Sequence, residues 1–237
     1  MDSNERPDRA RPTASNWTEW WNRVRYQLYA PIYDWVARPL EEGRRRTLER
    51  VAPTSEDRIL IVGCGTGADL KYLPKGASIT AVDTAPAMVR RTQQRAEALG
   101  MDVDVRVADA QGLPFEDDAF DVVLLHLILA VAPEPQAVAA EAARVLVPDG
   151  RVSIFDKFVA AETTPSLLRR ALNPVARFLF SDLTRRLDPL LASAGLEVVE
   201  PRGSSLGGLY TVAIAQPEAD EHNGPPVGPR THSADGP

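Results

Sequence analysis

Five short apolar runs alternate with longer amphipathic stretches through the middle of the chain. The runs are rich in β-branched residues and cover 58–62, 78–82, 103–107, 120–125 and 151–155, which is typical of buried strands. Helices are predicted between them at 68–73, 86–99 and 135–146, and Gly100 and Pro148 supply stop signals for the last two. Strands and helices that take turns in this way predict a doubly wound parallel sheet, in which ligands bind at the carboxyl ends of the strands.

The two ends of the chain differ in composition from the middle. Residues 1–16 and 217–237 are rich in Pro, Gly, Ser, Asp and Glu and almost lack large apolar side chains, so we expect them to be disordered tails. Residues 17–52 are expected to form an amphipathic helical lid, and residues 53–216 the main domain. With 237 residues, 44% of them hydrophobic, the chain is long enough for one domain with appendages.

Charge and cysteine content exclude several classes of protein. The net charge of -6 argues against a nucleic-acid partner. A single cysteine, Cys64, and three histidines leave neither a disulfide framework nor a zinc site, so no metal is expected. No apolar run is long enough to span a membrane, and the polar start does not look like a secretory signal. The sequence therefore predicts a cytoplasmic protein.

A glycine-rich loop, Gly63-Cys64-Gly65-Thr66-Gly67, follows the first strand. Glycines let a ligand approach the backbone, and a helix that opened at Ala68 would offer free N–H groups. Asp83 ends the second strand and could accept hydrogen bonds from both hydroxyls of a ribose. The loop alone also fits a nicotinamide or flavin enzyme. A second acid after the third strand, Asp109, points away from dehydrogenases, because it could accept from the exocyclic amine of adenine.

At these residues the sequence resembles the class I S-adenosylmethionine-dependent methyltransferases. Ile61 to Gly67 resembles the family's first motif, Asp83 its ribose-binding acid and Asp109-Ala110 its adenine-side acid. The resemblance implies a Rossmann-like, mostly parallel seven-stranded sheet with a helical insertion after strand five, and closing strands at 196–199 and 209–215, the last one antiparallel. The cofactor-binding residues that it implies here are Gly63, Cys64, Gly65, Thr66, Gly67, Asp83, Met88, Asp109, Ala110 and His126.

An upstream segment, Tyr26-Gln27-Leu28-Tyr29-Ala30-Pro31-Ile32-Tyr33-Asp34, resembles one that bacterial phosphatidylethanolamine N-methyltransferases carry before the Rossmann core. This likeness implies that Tyr26 and Tyr33 close over the cofactor and that Tyr29 belongs to the catalytic residues. The alternative is that the aromatic rings only pack a lid helix onto the core.

Two further stretches bear on a lipid substrate. Trp17, Trp20 and Trp21 share one helical face with Val24 and Leu28, as in a helix that lies at a membrane interface, although an ordinary amphipathic lid has the same pattern. Residues 161–187 carry five arginines and a net charge of +3. This charge suits contact with a phospholipid headgroup or an anionic bilayer. The alternative is that the arginines form a solvated helical face.

Methyl transfer from a sulfonium needs alignment and exclusion of water and no metal or covalent intermediate. His126, at the end of the fourth strand, is the best-placed acceptor for the proton of an amine nucleophile, and a buried packing histidine is the alternative. Cys64 is expected to shape the loop and to do no chemistry.

The function predicted from sequence is methylation of the amine of phosphatidylethanolamine or a related phospholipid, with S-adenosylmethionine as cofactor and peripheral contact with the inner face of an anionic membrane. A prenylated quinone or another hydrophobic small molecule is the alternative acceptor. A nicotinamide-dependent oxidoreductase and a catalytically silent binding module on the same fold stay open at this point.

Overall fold

The protein is described here by a computed structural model for residues 40–158, 186–200, 202–205 and 210–218. Its eight strands form one sheet in the order β3-β2-β1-β4-β5-β8-β6, and β7 pairs with β8. The strands are β1 (Arg58–Val62), β2 (Ser78–Asp83), β3 (Val103–Val107), β4 (Phe120–His126), β5 (Leu146–Asp156), β6 (Leu196–Val198), β7 (Gly203–Ser205) and β8 (Tyr210–Pro217). The seven predicted strands are confirmed, and the short β7 is an addition.

Strand β1 pairs in parallel with both β2 and β4, and β5 continues the parallel sheet beyond β4. Strand β8 is antiparallel to β5 and β6, as expected for the last strand. The carboxyl ends of β1, β2, β3, β4 and β5 therefore lie along one edge of the sheet, where the ligand of a doubly wound fold binds.

Helices cover both faces of the sheet. They are α1 (Glu41–Val51), α2 (Pro86–Leu99), α3 (Pro135–Val145) and α4 (Leu187–Ala192). Apolar side chains of α1 and α2 pack with Ile61 and Leu124 on one face, whereas those of α3 and α4 pack with Leu60 and Leu125 on the other. Neighbouring residues of one strand serve opposite faces because side chains alternate along a strand. The predicted helices at 86–99 and 135–146 are confirmed.

The helix predicted at 68–73 is wrong. Turns lead to a single 3-10 turn at Leu70–Tyr72. Gly67, the residue before this segment, has a φ of +72°, outside the helical region. Pro74 follows Leu73, which is extended, as the residue before a proline prefers. Gly67 and Pro74 limit this segment to six residues, which form turns and the single 3-10 turn, so no α-helix N-terminus follows the glycine loop.

Helix α1 approaches the sheet closely at Gly43. A Cβ atom built there would lie 2.3 Å from the ring of Phe155 on β5. That ring stacks on Tyr210 with its centroid 5.3 Å away and meets the ring of His126 edge-on at 6.1 Å. Gly43 thus lets α1 cover the aromatic cluster at the carboxyl edge of β5.

Several predicted features lie outside the described residues: both tails apart from Pro217 and Glu218, the lid up to residue 39, and all but the last two residues of the arginine-rich stretch 161–187. Within the described ranges, no helix combines the length and the apolar character that a membrane crossing requires.

Substitution of Gly43 with Ala is expected to destabilise the fold by about 1–3 kcal/mol, because the methyl group would overlap the Phe155 ring. The helix propensity of Ala offsets up to about 1 kcal/mol of the clash. Gly112→Ala is the matched control, since a Cβ there meets nothing within 4 Å. Urea unfolding of both variants measures the difference, and equal stabilities would contradict the close packing.

Candidate functional site

The glycine loop at the carboxyl end of β1 turns through three left-handed residues. Gly63, Gly65 and Gly67 have φ values of +69°, +56° and +72°, which favour glycine. A Cβ on Gly63 would lie 2.9 Å from the side chain of Ile128. The backbone N–H of Cys64 donates to the carbonyl oxygen of Val82 at 2.9 Å, which ties the loop to β2. The loop therefore presents bare backbone at the sheet edge.

Asp83 ends β2 directly beside this loop. One carboxylate oxygen accepts from the N–H of Gly65 and the other from the N–H of Ala85, both at 2.9 Å. Burial raises the pKa of Asp83, and the two backbone hydrogen bonds oppose that rise. Each carboxylate oxygen has a second lone pair, so the half-buried group can also accept from ribose hydroxyls.

Asp109 lies at the end of the neighbouring strand, β3. The N–H of Ala108 donates to the carbonyl oxygen of Asp83 at 3.2 Å, which joins the two acidic strand ends. Asp109 is exposed and accepts from the N–H of Gln111 at 3.0 Å, whereas Ala110 is buried. Val107 leaves 57% of its surface exposed. This strand end therefore offers a hydrogen-bond acceptor and an exposed apolar side chain within three residues of each other in the chain.

Helix α3 holds the loop that follows Asp109. The carboxylate of Glu141 accepts from the N–H of Leu113 at 2.7 Å. The guanidinium of Arg144 donates to the carbonyl oxygens of Leu113 and Phe115 at 3.1 and 2.8 Å, and it pairs with Glu141. Sequence reasoning missed both charged residues, because nothing in a helical pattern shows which loop a charged side chain reaches.

Cys64 is buried inside the glycine loop. The hydroxyl of Thr92 lies 3.3 Å from its sulfur and donates to the carbonyl oxygen of Gly65 at 3.0 Å. Burial raises the pKa of the Cys64 thiol to about 12, so the thiol stays protonated at neutral pH and is a poor nucleophile. Thr66 and Met88 are also buried, and Met88 packs with Ala85, next to Asp83.

His126 ends β4 and is buried among polar groups. Its Nδ1 lies 2.8 Å from a carboxylate oxygen of Asp69, and its Nε2 lies 3.0 Å from the hydroxyl of Ser153. Only 1% of the His126 side chain is exposed. Because both ring nitrogens have protein partners, this geometry favours the alternative of a buried packing histidine over a proton acceptor.

Asp69 completes the buried network. Its second carboxylate oxygen accepts from Arg44 Nη1 at 2.7 Å. Burial alone would raise the pKa of Asp69, but the guanidinium of Arg44 and the ring of His126 hold it well below its usual range. The carboxylate is therefore ionised, and Arg44 balances its charge.

Asp156 ends β5 and supports the turn after β4. Its oxygens accept from the N–H groups of Ala130 at 2.9 Å and Lys157 at 2.7 Å. No more than 1% of Asp156 is exposed, and burial raises its pKa to about 6. Among the described residues, Asp156 has no guanidinium partner of the kind that Arg44 provides for Asp69; backbone amides and the charge of Lys157 only partly oppose the effect of its burial.

Sequence reasoning did not single out Arg44, Asp69, Ser153 or Asp156 as site residues. Asp156 carried a usable signal, since it is an acid directly after the apolar run of the fifth strand. Tyr26, Tyr29 and Tyr33 lie outside the described residues. In the part of the chain that the structure describes, no group of three or more His, Cys, Asp or Glu side chains could hold a metal ion.

The residues at this edge fit S-adenosylmethionine. Gly63 has no room for a side chain beside Ile128, and the bare loop leaves its backbone open to a ligand. The carboxylates of Asp83 and Asp109 lie at the ends of neighbouring strands and can accept hydrogen bonds from a ribose and an adenine. The structure thus brings together Gly63, Cys64, Gly65, Thr66, Gly67, Asp83, Met88, Asp109, Ala110 and His126 along the ends of β1 to β4 and the start of α2.

Replacing Asp83 with Ala is expected to weaken S-adenosylmethionine binding by more than about 1 kcal/mol, because hydrogen bonds to a charged group are lost. Calorimetric titration should show a dissociation constant raised about fivefold or more. Asp104→Ala is the control, since Asp104 is an exposed acid on β3 that pairs with Arg106. An unchanged constant for Asp83→Ala would remove Asp83 from the cofactor site.

The raised pKa of Asp156 has a consequence for stability. Its value of about 6 lies above the ordinary 3.8, so the folded state binds this proton more tightly than the unfolded state. Stability is therefore lost as the pH rises from about 4 to about 6. Relative to Asp156→Asn, which does not titrate, the wild type should lose about 1.4 kcal/mol per pH unit within that window. Urea unfolding at pH 4.5 and 5.5 measures the difference; a constant difference would contradict the shift.

Comparison with known proteins agrees with this geometry. A family model described as a methyltransferase domain matches residues 60–154, which run from within β1 to within β5. A phosphatidylethanolamine N-methyltransferase of Cereibacter sphaeroides is 31% identical over 188 residues, which cover 78% of this chain and 92% of that protein. A demethylmenaquinone methyltransferase of Thermus thermophilus is 35% identical over 136 residues, which cover 54% of this chain and 61% of that protein.

Among solved structures, a methyltransferase from Methanosarcina mazei that depends on S-adenosylmethionine has a TM-score of 0.57. It is 22% identical, and the match covers 70% of this chain and 95% of that one. This likeness shows the shared fold, and the length of the match to the Cereibacter protein shows the family. The nicotinamide alternative is thereby removed. The chain belongs to the class I methyltransferases, it is an enzyme of that family, and S-adenosylmethionine is its cofactor.

Proposed function

We propose that the enzyme methylates the amine of phosphatidylethanolamine or a related phospholipid headgroup at a membrane surface. The observation that carries this proposal is the extent of the match to the phosphatidylethanolamine N-methyltransferase of Cereibacter sphaeroides, 92% of whose length is covered. The match to the demethylmenaquinone methyltransferase is limited to 61% of that protein. It leaves a prenylated quinone as the second candidate acceptor.

A lysine at the edge of the site supports a phospholipid acceptor. Lys157 directly follows β5, and its ammonium lies 5.5 Å from the centre of the Tyr210 ring. Burial lowers the pKa of Lys157, and the neighbouring carboxylate of Asp156 opposes that change. A half-buried cation at the carboxyl edge of the sheet is suited to a phosphodiester, which a quinone lacks.

When bound, S-adenosylmethionine supplies a methyl group on a positively charged sulfur. The enzyme's own residues then have three tasks: to orient the cofactor, to admit the amine in line with the methyl group and to exclude water. Asp83, Asp109 and the glycine loop serve the first task. We assign Tyr26 and Tyr33 to closure over the cofactor and Tyr29 to the acceptor side. His126 holds the end of β4, since both of its ring nitrogens have partners.

Contact with an anionic membrane belongs to the same proposal. The tryptophan-rich segment around Trp17, Trp20 and Trp21 and the arginine-rich stretch at 161–187 would lie on the lipid. Such contact brings the enzyme to a headgroup that stays in the bilayer during the reaction.

Transfer of a labelled methyl group tests the acceptor. Purified enzyme is incubated with S-adenosylmethionine labelled at its methyl group and with phosphatidylglycerol liposomes that contain or lack phosphatidylethanolamine, and the lipids are then extracted. We expect label in mono- or dimethylated headgroups only when phosphatidylethanolamine is present. If the protein binds S-adenosylhomocysteine but no label enters the lipids, the proposal is contradicted. Label in an added demethylated quinone would support the second candidate.

Lys157→Met provides an internal comparison in the same assay. Its KM for phosphatidylethanolamine should rise about tenfold, because a hydrogen-bonded charge is lost, while its KM for S-adenosylmethionine should stay unchanged. Lys75→Met is the matched control, since Lys75 is exposed shortly before the amino end of β2, on the opposite edge of the sheet.

A further inference from the structure

Asp69, His126 and Ser153 have the hydrogen-bonding order of a serine hydrolase triad. The hydroxyl of Ser153 lies 3.0 Å from His126 Nε2, and Nδ1 of the same ring lies 2.8 Å from the carboxylate of Asp69. Ser153, however, has 0% of its surface exposed, and it lies within β5 between β4 and β8. A nucleophile that no substrate can reach has no chemistry to perform, so the three residues must serve another purpose.

The charges define the hydrogen bonds in this network. The ionised carboxylate of Asp69 can only accept, so Nδ1 of His126 carries a proton and donates it. In the neutral ring, Nε2 then accepts from the hydroxyl of Ser153. Arg44 donates to the other carboxylate oxygen at 2.7 Å. Four side chains from four segments of the chain are thus joined through one buried carboxylate.

Two of these segments border the glycine loop. Asp69 comes two residues after Gly67, and His126 directly precedes a turn at residues 127–128. Leu127 in that turn has a φ of +61°, a strained conformation for a residue with a side chain. Its N–H donates to the carbonyl oxygen of Phe155 at 2.8 Å. Ile128 packs directly over Gly63, so the turn and the glycine loop are in contact.

We propose that Asp69 is a positioning residue for the cofactor site, which acts through His126. Its carboxylate holds the ring of His126 and thereby fixes the turn at residues 127–128 at its distance from the glycine loop. Arg44 keeps the carboxylate ionised and ties α1 to the same point. The inference concerns the cofactor site and is independent of the acceptor.

Asp69→Asn tests this role. An Asn side chain offers one acceptor oxygen and one NH₂ donor, so it cannot accept from both Arg44 and His126, and one of these two donors would face the NH₂ group. We expect the dissociation constant of S-adenosylhomocysteine, measured by calorimetry, to rise at least tenfold. Amide hydrogen exchange at residues 126–130 should become faster. In turnover, the KM for S-adenosylmethionine should rise more than kcat falls.

Asp57→Asn is the matched control. Asp57 also pairs with an arginine, Arg151, at 3.0 Å, but it precedes β1 at the opposite edge of the sheet. This variant is expected to lose stability while its dissociation constant stays within twofold of the wild type. If both variants bind equally well, or if exchange at 126–130 is unchanged in Asp69→Asn, the positioning role is refuted.

Ser153→Ala covers the case in which Asp69→Asn does not fold. It removes only the last hydrogen bond of the network, and we expect the dissociation constant to rise about threefold with faster exchange at 126–130. Unchanged binding and exchange in this variant would overturn the proposal. The binding and exchange readouts use the cofactor product without lipid, so failure here is distinguishable from failure of the proposed acceptor.

Discussion

Parallel pairing of β1 with both β2 and β4 is the constraint on which the site depends. It brings the glycine loop, the acid at the end of β2 and the turn after β4 to one edge of the sheet. The glycine loop must then reverse within five residues while it stays in contact with Ile128, and three glycines with positive φ allow this. The proposed cofactor site is therefore a consequence of sheet topology, and side chains from the ends of β2, β3 and β4 lie beside the loop.

Three buried or half-buried carboxylates at this edge are stabilised in different ways. Asp69 has a guanidinium and a histidine ring, which keep its pKa low, whereas Asp156 accepts mainly from backbone amides and its pKa rises to about 6. Asp83 resembles Asp156, since two amides only partly oppose the effect of its burial. Removal of a carboxylate from water costs free energy. Each of these three carboxylates nevertheless lies at a place where it orders a loop or a turn.

The sequence predicted the fold well because the strands of a parallel sheet are short apolar runs, and alternation with helices is visible without any tertiary contact. It also placed Gly63, Asp83 and Asp109 correctly at the strand ends. It failed at 68–73, where a glycine and a proline on either side prevent a helix. It also missed the network of Arg44, Asp69 and Ser153. Their hydrogen bonds join residues 25 to 57 positions apart, and no local pattern reports which distant side chains meet.

The cofactor is expected to bind at the carboxyl edge formed by β1, β2, β3 and β4. Hydrogen exchange of the wild-type enzyme with and without saturating S-adenosylhomocysteine tests it most directly. We expect slower exchange at residues 63–67, 83–85, 109–111 and 127–130, and no change at residues 54–58 and 118–121 on the opposite edge. Protection confined to the opposite edge, or no protection at saturation, would contradict the account.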